Sequence, residues 1–157
     1  MTEQPERIPT PALLLGLGGL VPFVALPFAA AFSETLNLPP QVRAHATVPA
    51  LTLYAAVILS FMGGVRWGLA MRQVAPNGFV AWRRYTVSIL PALLAWTALF
   101  LGTRAGLVTL AAGFALLLIY DLWSIRRGEA PQWYERLRVW LTSVVVLSLT
   151  VTSAFIL

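Results

Sequence analysis

Five stretches of the chain are apolar over a length that suits a membrane rather than a soluble core. A hydrocarbon layer about 30 Å thick needs about 20 helical residues at 1.5 Å each. The first stretch runs from Ala12 to Phe32 and the second from Val48 to Met71. The third runs from Thr86 to Leu101 and reaches a full span only with the Trp82–Tyr85 turn added. The fourth runs from Gly106 to Trp123 and the fifth from Val139 to Leu157. Between them lie breakers: Pro39-Pro40, Pro76-Asn77-Gly78 and the tight Gly102-Thr103-Arg104-Ala105 link. The expectation is an all-α, polytopic integral membrane protein. A polar tail, residues 1–11, would precede one domain, residues 12–157, a bundle of five transmembrane helices with no soluble domain after it. Charged residues are only 11% of the 157, against 59% apolar. A soluble domain carries about 25% charge, so a soluble enzyme and a disordered chain are both excluded.

The charge that remains is informative by position. Net charge is +5, and all 11 basic residues are Arg. Flanking membrane spans, they face an anionic leaflet rather than nucleic acid. With the N-terminus inside, the cytoplasmic side receives Arg7, Arg72, Arg83, Arg84, Arg126, Arg127, Arg136 and Arg138, and the far side only Arg43 and Arg104. That asymmetry predicts N-in, C-out. Trp67, Trp82, Tyr85, Trp123, Trp133 and Tyr134 then serve as interfacial anchors on that side. Ala29-Ala30-Ala31 fits a signal-peptidase pattern, but the run before it is too long and Glu3 and Glu6 make a poor positive leader.

Within the second span Thr52, Ala56, Ser60, Gly64 and Gly68 recur every four residues. They form a small-residue stripe on one helix face, suited to packing inside the bundle or to a homodimer contact. Arg66 lies in the same span, six residues before Arg72, so about 9 Å deeper. A charge at that depth snorkels, pairs or binds a ligand. Asp121, near the same end of the fourth span, is the one carboxylate at matching depth. Arg66 and Asp121 are therefore expected to meet, and reversing both charges to restore what reversing one loses. Pro22 and Pro27 in the first span and Pro91 in the third each free a backbone carbonyl that the bundle must satisfy. Thr142, Ser143, Ser148, Thr150, Thr152 and Ser153 give the fifth span hydroxyls for such bonds.

Catalytic chemistry is hard to find. There is no Cys, and the single His, His45, sits in a loop. Neither a thiolate site nor a two-histidine metal or haem site is available, and one intramembrane carboxylate does not make an acid–base pair. No catalytic residue, metal or cofactor is expected.

The run Tyr54 to Gly68, with Gly63-Gly64-Val65-Arg66-Trp67-Gly68 at its end, carries a resemblance. Leu15 to Phe23, Ser88-Ile89-Leu90-Pro91, Tyr120-Asp121 and Trp133 to Arg138 extend it. Over Pro11 to Leu157 the chain resembles the transmembrane protein 69-like family, known in bacteria as a membrane domain of unknown function. The resemblance implies a multi-pass protein of the bacterial inner (plasma) membrane or, in eukaryotic relatives, of mitochondria, and supplies no activity. Tryptophan-rich translocator proteins share the span count, but their aromatic signature is missing from Asn37-Leu38-Pro39-Pro40-Gln41. The expected function is that of a non-enzymatic accessory or assembly factor for a membrane complex. The alternative is a protein that binds or transports a lipid, quinone or tetrapyrrole. The two differ in shape: a binder needs a pocket of a few hundred Å³ lined by aromatics and a few polar groups. An accessory protein needs a filled bundle with a small-residue face toward lipid. Partners would be membrane lipids, and other membrane proteins or a second copy through the stripe, with no nucleic acid.

Overall fold

The computed structural model of the protein describes residues 7–41, 47–72 and 74–156. Glu3, Glu6, Arg43, His45 and Leu157 lie outside the described residues. The fold is all-helical among them: α1 (Thr10–Ala31), α2 (Val48–Met71), α3 (Gly78–Ala98), α4 (Thr103–Arg126) and α5 (Gln132–Val151), the last continuing into one π turn, Thr152–Ile156. Four of these helices are long and apolar enough to cross a membrane: α1, α2, α4 and α5 with its extension to Phe155. The 21-residue α3 is outside that set, with Arg83 and Arg84 in its second turn.

Local chemistry sets the boundaries. Pro11 and Pro49 sit in the first turns of α1 and α2, where a missing N–H costs nothing. Asn77 caps α3: its side-chain oxygen accepts from the Val80 N–H at 3.0 Å. That cap starts α3 at Gly78, about two turns before the apolar run that begins at Thr86. Gly128 ends α4 at φ +74°, its N–H donating to the Ile125 carbonyl at 2.9 Å. Then Pro131 leads into α5, which begins seven residues before the expected Val139. The fifth helix is thus longer at its start than the apolar run, because amphipathic Gln132 to Arg138 continues it.

α2 packs most extensively on α3, and α4 on α5. Their shared core is Leu51, Leu59, Leu107, Leu110, Phe114 and Leu149. α1 lies against α2 and α5 and buries a single residue, Phe23, whose ring meets Tyr54 at 5.2 Å and Phe114 at 6.2 Å. The proline-freed carbonyl problem is solved across helices. Pro27 takes the N–H that would bond to Phe23, and the Ser148 hydroxyl of α5 donates to the Phe23 carbonyl instead. One turn before Phe23, the Tyr54 hydroxyl donates to the Gly19 carbonyl at 3.0 Å, next to Gly18, whose carbonyl Pro22 leaves without its usual helical donor.

The stripe on α2 divides. Ala56 is buried and Thr52 and Ser60 are half-buried, each hydroxyl donating to its own helix at Val48 and Ala56. Gly64 and Gly68 have no neighbour within 4 Å of a Cβ position, so they do not pack inside this bundle. The close approach is made by Gly63, where a Cβ would stand 2.5 Å from the Ser88 carbonyl oxygen and 3.4 Å from Pro91. Pro91 therefore lies beside the close α2–α3 approach at Gly63.

Candidate functional site

The expected pair is part of something larger. Arg66 Nη1 and Asp121 Oδ1 sit 3.4 Å apart, with side chains 6% and 1% exposed. At that distance they form an ion pair in which neither atom makes a hydrogen bond. Asp121 has a second and closer partner: Arg138 Nε donates to its Oδ2 at 2.7 Å. Arg138 is only 4% exposed at its side chain. The sequence reading placed Arg138 among headgroup-facing residues, but α5 begins at Gln132 and carries it inward on the helix.

A second carboxylate continues the network. Arg66 Nη2 donates to the Ser124 hydroxyl at 2.9 Å, which donates to Glu129 Oε2 at 3.0 Å. Arg84 donates to Glu129 Oε1 at 2.9 Å, and Arg83 stands 3.6 Å from the same oxygen. Arg66 reaches within 3.9 Å of Glu129 as well. The network thus joins α2, α3, α4 and α5 at the end of the bundle where α1 begins. Aromatic faces complete it: Arg66 lies 4.7 Å over Tyr120, and Arg83 and Arg127 lie 4.6 and 4.0 Å over Trp123. Trp67 stacks edge-on with Tyr85 at 4.8 Å, whereas Trp82 stands clear of the bundle.

Burial pushes the Glu129 carboxyl up. The hydrogen bonds from Arg84 and Ser124, with the charges of Arg84 and Arg83, outweigh that and hold it below its ordinary 4.5. Its stabilising contribution is therefore complete above pH 4.5 and is lost as pH falls through the lower folded value. Thermal unfolding in detergent should show the wild type above Glu129→Gln at pH 7, with the gap closing below about pH 4.5. A gap that stays constant down to pH 3 would refute this electrostatic role.

Beside Arg138 the bundle is not filled. A cavity of about 440 Å³ lies between α1, α2 and α5, reaching Phe114 of α4. Its walls are aliphatic and aromatic, with Phe23, Phe61, Trp133 and Tyr134 among them, and with Arg138 and Thr142 as polar members. Arg138 Nη2 and Thr142 Oγ1 are buried without a hydrogen-bond partner. A second cavity of about 420 Å³ lies between α3 and α4, along Leu90, Pro91, Leu94 and Gly113, and carries no charge. Among the described residues no three His, Asp or Glu side chains gather to hold a metal ion.

Sequence reasoning found Arg66 and Asp121 through depth alone. It missed Arg138, Ser124 and Glu129, although Arg138 lies one residue from the expected fifth span.

Residues 8–154 match a family described as "Protein of unknown function (DUF3429)". The chain is 42% identical over 143 residues to "Transmembrane protein 69" of Xenopus tropicalis, covering 90% of this chain and 53% of that protein. It is 30% identical over 150 residues to "Transmembrane protein 69" of Mus musculus, covering 92% and 56%. The chain thus spans about half the length of these curated relatives. No solved structure matches it.

Proposed function

Since the chain belongs to the DUF3429 family of membrane proteins of unknown function, we propose a function from its own geometry: it binds a small apolar molecule within the membrane. The observation that carries this is the cavity of about 440 Å³ lined by aromatics, where Arg138 Nη2 and the Thr142 hydroxyl are buried without a hydrogen-bond partner. The space opens to the surroundings past Leu15 and Phe61, both exposed, so an apolar molecule can enter it from the lipid. Five spans with the N-terminus cytoplasmic, in an inner (plasma) membrane, fit this reading. The Arg-rich ends of α2, α3, α4 and α5 and the start of α1 lie on one side, as the positive-inside bias requires. α3 then crosses with Arg83 tied to Glu129 and stacked on Trp123, and Arg84 hydrogen-bonded to Glu129.

A second reading rests on one observation. Gly64 is exposed, and neither it nor Gly68 has a neighbour within 4 Å of a Cβ position. An open glycine face of this kind suits a helix of another membrane protein or a second copy. It would make the protein an accessory or assembly factor, and both roles are compatible in one chain.

Native mass spectrometry of the protein in nanodiscs separates them. Binding predicts a reproducible small-molecule adduct that disappears in Gly19→Leu, a cavity-lining position where a Cβ meets only the Tyr54 hydroxyl at 3.9 Å. Release with larger membrane subunits, without an adduct, would instead favour the accessory role.

A further inference from the structure

We propose that the cavity holds one single-chain amphiphile with a carboxylate head, seated on Arg138 and Thr142, its tail among the apolar side chains that line the rest. This rests on the binding role above and names the ligand class. Charge comes first. Among the described residues the network brings four guanidiniums, of Arg66, Arg83, Arg84 and Arg138, to two carboxylates, of Asp121 and Glu129. Excess positive charge held at low exposure is costly in a membrane protein unless an anion offsets it. The cavity is where an anion has room to come.

Donor geometry narrows the head. Arg138 spends Nε on Asp121 at 2.7 Å and Nη1 on the Met62 sulfur, a weak acceptor, at 3.0 Å. Its Nη2 has no partner, and neither does the Thr142 hydroxyl. The two residues are 3% and 2% exposed, stand one turn apart on the same face of α5, and both line the cavity. Together the two residues offer two unspent donors, which matches the two oxygens of a carboxylate. A phosphate monoester, with three terminal oxygens and nearly two charges, would leave acceptors unmet there. A neutral hydroxyl head would leave the guanidinium uncompensated.

Shape narrows the tail. The lining runs from Ala12 to Phe23 on α1 and from Trp133 to Val145 on α5, which is about 17 Å at 1.5 Å per residue. A long, thin space of about 440 Å³ suits one chain, not the two of a phospholipid.

Photolabelling of the full chain in phosphatidylcholine nanodiscs tests this. The probes are a diazirine-bearing palmitic acid and the hexadecanol of the same chain. The acid should label peptides of α1 and α5 at least tenfold more than the alcohol, and unlabelled palmitic acid should compete. Thr142→Val keeps the volume and removes a donor, so acid labelling should fall several-fold while alcohol labelling stays. Arg138→Gln should abolish the preference for the acid, and Thr142→Val reports where that variant does not fold. Equal labelling by acid and alcohol, both competed, would overturn the carboxylate assignment and leave the binding role standing. Labelling by neither above the lipid background, with no competition, would overturn both.

Discussion

Asp121→Asn is expected to destabilise the bundle more than any other single exchange of its size, by about 3–5 kcal/mol. Asp121 is 1% exposed and is the carboxylate shared by Arg66 at 3.4 Å and Arg138 at 2.7 Å. Removing its charge leaves two buried guanidiniums facing each other across a low-dielectric space. Breaking one partner of a buried pair is costly because the remaining charge has nothing to offset it. Denaturant or thermal unfolding in detergent measures the loss, with exposed Glu34→Gln as the control. An Asp121→Asn protein within about 0.5 kcal/mol of wild type would refute the role given to this carboxylate. The third partner also changes what a charge swap does. Arg66→Asp combined with Asp121→Arg looks like a rescue when the two are considered as an isolated pair. Arg138 makes it fail, because the new guanidinium at 121 meets Arg138 at the place where a carboxylate stood. Simultaneous replacement of Arg66, Asp121 and Arg138 by apolar residues of similar volume is the combination expected to recover stability.

Gly63→Ala comes next in size, and Gly64→Ala beside it should do almost nothing. A Cβ at 63 would stand 2.5 Å from the Ser88 carbonyl oxygen, which is backbone and has little freedom to retreat. α2 and α3 must separate, and overpacking of this kind costs about 1–3 kcal/mol. At 64 a Cβ meets nothing within 4 Å. The contrast is sharp because the small-residue pair read from the sequence is Gly64 and Gly68. Unfolding of the two single variants in the same detergent decides it, and equal losses would overturn the α2–α3 contact described above. Should Gly64→Ala alone change the size of the particle in nanodiscs, the open glycine face would have a partner.

How far these features were legible depends on what each one needs. The five helices follow from apolar run length and from punctuation by Pro and Gly, which are local properties. The meeting of Arg66 and Asp121 follows from a depth argument that leaves only one partner. Arg138 was hidden by a boundary: Val139 to Leu157 is the apolar stretch, but the helix starts at Gln132 because Pro131 and a helix-compatible Gln-Trp-Tyr-Glu-Arg-Leu-Arg segment extend it. An arginine expected at the membrane face, just before the fifth span, lies instead in the second turn of α5 and is the nearest partner of Asp121. Glu129 was hidden differently. It belongs to a turn shaped by Gly128, and turns place side chains through φ and ψ values that composition does not reveal. Gly63 and Gly64 are adjacent, so they point about 100° apart on the helix. Only the position of α3 tells which of them is covered.

The Ser148–Phe23 and Arg138–Asp121 bonds also have a meaning in time. Chains are made from the N-terminus, so α1 enters its surroundings while α5 is still unmade. Until then the Phe23 carbonyl waits for Ser148, and Asp121 waits for Arg138. Lipid solvates the side chains of α1 meanwhile, since only Phe23 is buried, but the Phe23 carbonyl stays without its side-chain donor until Ser148 arrives. Asp121 tolerates the delay through Arg66, which precedes it in the chain. The arrival of α5 then finishes both at once, which makes its docking the step that turns a set of separate helices into a closed bundle.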